Sequence, residues 1–258
     1  MSYRAIVSAS ISFGLVAIPI KVYSASDDNK LTMNYINPET KSRIGQKWFD
    51  KTTLADVELK DMALGYEHEK DQYLIFTKDE LKALESPKTA AFDIKEFVSI
   101  SSVDFCQIEK TYYLSPDKGG DKAYQMLSIA MEQEQKVALG MWTSKGKDHL
   151  VMIRSHKGGL VLHQLFYADE LRDFTEVNKC AKVAVSDKEA GMAKQLIKQL
   201  TSDTIDLSPY KDGYRERVLE AVEQKKNGQE VTIHAEAPVQ KVNDLFAALQ
   251  ASLNAANK

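Results

Sequence analysis

The chain has 258 residues, 43% of them hydrophobic and 28% charged, with a formal net charge of −3. That is the balance of a soluble globular protein with ample core, and it excludes an overall basicity that would announce a polyanion partner. Any such partner must meet positive charge that the fold itself segregates. Cys106 and Cys180 stand far apart and outside any Cys-x-x-Cys spacing, which argues against a zinc ribbon or a disulfide framework. The first residues lack the apolar core of a signal peptide, and no run approaches transmembrane length, so a cytoplasmic protein without membrane contact is expected.

In chain order, residues 4–13 and 15–23 read as strands hinged at Gly14. Pro19 suggests an edge or bulge position, with Lys21 on the polar face. From Ser26 to Met62 apolar density falls, and Lys41, Arg43, Lys47 and Lys51 alternate with Ile44, Trp48 and Phe49. Basic residues interleaved with aromatics on an extended excursion suit a phosphate backbone, and an ordinary solvated insertion is the competing reading. Gln72–Thr77 is strand-like, and Thr77 with Glu80 forms a capping box for a short helix. Two further strand-like runs, 92–100 and 108–114, lead to the turn Ser115-Pro-Asp-Lys-Gly-Gly120. Asp121 is the expected cap of a helix buried through Tyr124, Leu127 and Met131.

Val137–Trp142, His149–Ser155 and Leu160–Tyr167 are three apolar runs split by short turns, the pattern of an antiparallel meander. Lys145, Lys147 and Lys157 sit in its turns and Arg154 at a strand end, where they serve either a binding role or simple solvation. After the meander the period becomes helical. Ser186 and Glu189 make a second capping box, and a further helix ends at Asn227-Gly228. This pair either packs on the core or reaches a second subunit. Residues 229–241 read as a linker, followed by an amphipathic segment with Val242, Leu245, Phe246, Leu249 and Leu253 on one face. No internal repeat is evident.

The five histidines fit no familiar metal signature, and His163, set among leucines in a strand, reads as a hydrogen-bonded core residue. No nucleophile elbow, P-loop or dinucleotide fingerprint occurs, and no carboxylate pair stands out, so enzyme activity has no positive support.

Several segments, in order and with spacing kept, resemble the bacterial Ku proteins of non-homologous end joining. They are Ser10–Ala25 (SISFGLVAIPIKVYSA), Gly65–Tyr73 (GYEHEKDQY), Glu109–Gly120 (EKTYYLSPDKGG), Gly159–Arg172 (GLVLHQLFYADELR) and Ala193–Ile197 (AKQLI). The resemblance implies a mainly β protein with α-helices: a Ku-type β-barrel core over residues 1–185, with a long bridge at about 27–65 arching over DNA. It further implies a helical dimerisation arm at 186–230, then a linker and short amphipathic C-terminal segment at 231–258 that recruits a ligase.

The function implied is a non-catalytic homodimeric ring that binds and threads double-stranded DNA ends without reading sequence. Such a ring recruits a non-homologous end-joining DNA ligase for double-strand break repair, in the cytoplasm and on the nucleoid when DNA-bound. Lys21, Lys30, Arg43, Lys47, Lys145, Lys147, Arg154 and Lys157 are the expected phosphate neighbours, and Leu245, Phe246, Leu249 and Leu253 the expected ligase contacts. No cofactor is expected. Many relatives carry Cys-x-x-Cys in the bridge, whereas Trp48-Phe49-Asp50-Lys51-Thr52 stands here, so no metal is expected either. The long lysine-rich tail of many relatives is not matched, which puts tail-dependent DNA binding in doubt. The alternative is a monomeric, general nucleic-acid-binding β-barrel without end selectivity.

Overall fold

A computed structural model describes residues 3–86, 91–144, 146–177 and 183–231. The chain divides into one unit ending at Asp173 and a second beginning at Phe174. The first unit holds a closed seven-stranded barrel: β1 (Val7–Phe13), β2 (Val16–Ser24), β5 (Ala91–Ser99), β6 (Ile108–Pro116), β7 (Lys136–Ser144), β8 (Lys147–His156) and β9 (Gly159–Leu165). Around the barrel the order is β1-β2-β6-β9-β8-β7-β5. All neighbours are antiparallel except β1 and β5, which close the ring in parallel with Ile11 opposite Phe92. The smaller strands β3 (Leu64–Glu69) and β4 (Gln72–Phe76) form a separate hairpin. Sequence reading finds β4 and misses β3, whose residues are all exposed and carry no apolar alternation.

Strand alternation sorts the barrel into an inner and an outer face. Ile11, Ile18, Ile20, Val22, Phe92, Leu114, Leu160 and Leu162 join one buried cluster, with Val7, Ala9 and Phe13 packed against it. Ser8, Ser10 and Ser12 alternate with those residues, as the pattern predicts. Pro19 lies inside β2 rather than at an edge or bulge, pairing with Ser10 of β1. Its carbonyl accepts from Asp117 N at 2.9 Å, on the β6 side, where strand pairing begins only at Ile20. Because N–H and C=O of one strand residue point the same way, the missing donor costs no ladder bond.

Helix α2 (Asp121–Gln133) packs on β7, β8 and β9 through Tyr124, Leu127, Ser128 and Met131. Asp121 is not its cap. Gly120 takes that place, and no side chain caps this end. A Cβ at residue 120 would lie 2.5 Å from the Pro19 carbonyl oxygen, so the chain turns there on glycine and Asp121 falls one step inside. The Tyr124 hydroxyl donates to Leu114 O (2.6 Å) and accepts from Leu160 N (2.7 Å), bridging two residues that face each other across β6 and β9. On β7, a Cβ at Gly140 would come within 2.3 Å of the Asp93 carbonyl oxygen. Only glycine lets β7 approach the bulge in β5 between Ile94 and Glu96.

Between β2 and β5 the chain makes a long excursion containing the β3–β4 hairpin and α1 (Lys78–Ala83), whose Thr77/Glu80 capping box closes as expected. The second unit holds α3 (Phe174–Val177), α4 (Asp187–Gln199) and α5 (Gly213–Lys226). Ser186 and Glu189 close the second box, and Gly228 (φ +71°) follows the Asn227 cap of α5. Neither α4 nor α5 buries a residue. Among the described residues, no helix is long and apolar enough to cross a membrane.

Candidate nucleic-acid interface

The barrel's outer face over β2, β6, β9 and β8 gathers part of the predicted basic set. Tyr23 faces Tyr113, Tyr113 faces Val161, and Val161 faces Arg154, so these four side chains form one row across four strands. At the usual strand spacing the row spans about 14 Å. A parallel row runs through Thr111, His163 and Met152. Lys21 lies two residues before Tyr23 and His156 two after Arg154, on the same face by strand periodicity. Lys157 and Gly158, both at positive φ (+50° and +76°), make the two-residue β8–β9 turn beside them.

Hydrogen bonds fix this cluster. Arg154 Nε donates to His163 Nε2 at 2.9 Å, and Thr111 Oγ1 lies 2.9 Å from Nδ1. An arginine only donates, so Nε2 carries the lone pair and Nδ1–H donates to the threonine. His163 is thus a neutral, satisfied histidine, 5% exposed. Its burial, then the nearby Arg154 and His156, push its pKa down to about 4. Burial, with Arg154 and Lys157, also lowers that of His156. Burial leads both shifts, and Arg154 adds positive charge beside both rings.

A pH effect follows. An unfolded histidine takes up a proton near pH 6.5, whereas folded His163 waits until about pH 4. The stabilising difference is complete above pH 6.5 and is lost as pH falls towards 4, by roughly 3 kcal/mol at most. Urea titrations at pH 7 and 4.5 should show a smaller acid loss in His163→Gln than in the unaltered chain; equal losses would contradict a His163 kept neutral by the fold.

Lys21 on this face is paired, and the other predicted cations lie elsewhere. Lys21 Nζ is 3.2 Å from Asp117 Oδ1, both partly exposed, a pairing weak enough to yield to phosphate. Lys147 opens β8 seven residues before Arg154, hence about 23 Å away at the other end of the strand. On the excursion, Lys30 pairs with Asp28 (3.1 Å) and Lys47 with Asp56 (2.7 Å). Between Lys41 and Lys51, four basic residues stand against one acidic residue, Asp50. Lys145, Leu245, Phe246, Leu249 and Leu253 lie outside the described residues, as do Cys180 and most of the linker.

The basic stretch is built from two knuckles of the same shape, which the sequence does not display as a repeat. Ile36 bridges to Arg43 and Phe49 to Asp56. In the first, Asn37 Oδ1 accepts from Glu39 N (2.9 Å) and Lys41 takes φ +56°. In the second, Asp50 Oδ1 accepts from Thr52 N (2.7 Å) and Leu54 takes φ +59°. The shared signal is an Asx residue four positions before a left-handed one. Each knuckle lifts its aromatic and aliphatic residues into water: Ile44 is 60%, Trp48 59% and Phe49 56% exposed.

The family profile described as the Ku70/Ku80 beta-barrel domain matches residues 12–192. The chain is 39% identical, over all of its length and 85% of the relative's, to the non-homologous end joining protein Ku of Paraburkholderia phymatum. It is 34% identical to the protein of that name from Lachnoclostridium phytofermentans, over 96% of this chain and 95% of that one. The similarity to the Archaeoglobus fulgidus protein of the same name is also 34%, over 98% and 99%.

Proposed function

The chain belongs to the Ku family, and from that premise we propose that it is a non-catalytic repair factor that binds double-stranded DNA ends as a homodimeric ring. The observation that carries this reading is the excursion between Ser24 and Ala91, with its basic knuckles and its exposed Ile44, Trp48 and Phe49. Its residues 25–58 form no helix or strand beyond two isolated bridges; stretches of that length are uncommon in compact domains unless functional, and grouped exposed apolar residues call for a cover. A second copy supplies one symmetrically, each excursion meeting its counterpart. The unburied apolar residues of α4 and the following segment, Ile197, Leu200, Ile205 and Leu207, suit the same dimer.

The cationic lining then comprises Lys21, Arg43, Arg154 and Lys157, together with Lys30, Lys47, Lys145 and Lys147 from the rest of the predicted set. Contacts of this kind neutralise phosphate without reading bases, so binding is sequence-independent. A closed loop loads only where the duplex stops. In a shift assay, linear duplex should bind and a covalently closed circle of equal length should not; equal affinity for both would overturn the ring.

Recruitment of an end-joining DNA ligase is assigned to Leu245, Phe246, Leu249 and Leu253, whose spacing offers one apolar face. Deleting residues 242–258 should leave DNA binding intact and abolish stimulation of the ligase. Unchanged stimulation would remove that role.

A further inference from the structure

Where β2 leaves the barrel, Tyr3, Tyr23 and Tyr113 surround an open cavity of about 440 Å³, floored by residues 24–27. That size lies within the range of small-molecule sites, roughly 300–1,000 Å³. Tyr23 and Tyr113 face each other directly across β2 and β6, so rigid strands hold two of the three rings. Tyr113 is 48% and Tyr3 74% exposed. Among the described residues, no ring-to-ring contact involves any of the three.

The charge of the lining selects the ligand. Among the described residues no cation borders the cavity, and the carboxylate that lines it is Asp27. A phosphate is therefore disfavoured inside, while a neutral planar ring with an amino edge finds aromatic faces and an acceptor. Phosphates attached to that ring would stay outside, where Lys21 stands two residues from Tyr23 on the same barrel face. Base-on-aromatic stacking is tolerant of sequence, since every base has a π-face.

We infer that this pocket stacks an unpaired nucleobase at the terminus of a DNA end, an inference that rests on the end-binding reading above. The site would let a protein that grips duplex through phosphate also distinguish a frayed or overhanging end from a blunt one.

The test uses the full chain and linear duplexes that are blunt or carry one unpaired 2-aminopurine at the end of either strand. The unaltered chain should quench the 2-aminopurine and bind the overhanging duplex about tenfold more tightly than the blunt one. Tyr23→Ala with Tyr113→Ala should lose the quench and bring the ratio of overhang to blunt affinity to about one, whatever it does to the affinity for duplex as a whole. Tyr23→Phe with Tyr113→Phe should keep both, because the rings remain. Quenching that survives the alanine pair, or no overhang preference in the unaltered chain, would overturn the inference while leaving end binding intact. A change of oligomeric state in the alanine pair would instead assign the pocket to the dimer contact, and overturn it too. Failure of the unaltered chain to bind any linear duplex would overturn the end-binding reading and this one with it.

Discussion

Changing Arg154 and Lys157 together to glutamine is expected to lower affinity for linear duplex by three to four orders of magnitude near 0.1 M salt. The two side chains share one edge of the barrel face, at the end of β8 and in the β8–β9 turn. In a symmetric dimer the pair of substitutions removes four phosphate contacts. Each neutralised phosphate contributes about 0.9 to the slope of log K against log salt, so losing four contacts should make the slope shallower by about 3.6. Glutamine at 154 keeps a donor facing His163 Nε2, the group Arg154 serves at 2.9 Å, which separates loss of charge from loss of fold. An unchanged slope would mean that neither cation meets phosphate.

Replacing Trp48 and Phe49 by glutamate should split the dimer and, with it, abolish end selectivity. Both rings are more than half exposed at the base of the second knuckle, where Phe49 bridges to Asp56. Fully burying a large apolar side chain contributes about 1.5–3 kcal/mol; with a little over half of each ring still to be covered and four rings in the symmetric pair, the sum is roughly 3–7 kcal/mol. A dimer with micromolar dissociation is held by about 8 kcal/mol, so the loss suffices to leave single chains at that concentration. Sedimentation should show the doubly substituted protein as a monomer that retains weak, salt-sensitive DNA binding. If it sediments as a dimer, these rings are not the seam.

Much of the barrel is legible locally. The β7–β8–β9 meander, the serine alternation of β1, both capping boxes and the Asn227-Gly228 stop depend on residues close in sequence, and each appears where pattern and turn chemistry put it. The closing contact is another matter. β1 pairs with β5 across some eighty intervening residues, and neither strand carries the register that sets Ile11 opposite Phe92. Pro19 misleads as an edge signal because the cost of its missing donor depends on where the neighbouring strand begins. Asp121 misleads as a cap because Gly120 packs against Pro19 from a different hairpin.

The candidate interface shows the same division. Arg154 and Lys157 are visible as hairpin cations, but the row joining Tyr23, Tyr113 and Arg154 exists only once β2, β6, β9 and β8 stand side by side. His163 is recognisable as a satisfied histidine, while its dependence on Arg154 needs the β8–β9 register. The paired knuckles escape sequence reading because Lys41 and Leu54, the residues in left-handed backbone, are not the glycine or asparagine that usually mark it.

The central claim is topological, and trapping tests it most directly. The protein is loaded on linear duplex, the DNA ends are then joined to make a closed circle, and both forms are washed at about 1 M salt, where phosphate contacts no longer hold. Protein that stays on the circle, leaves the uncircularised control and is freed from the circle by a single double-strand cut is the expected result. Equal release from circle and linear duplex in that wash would contradict an enclosing ring.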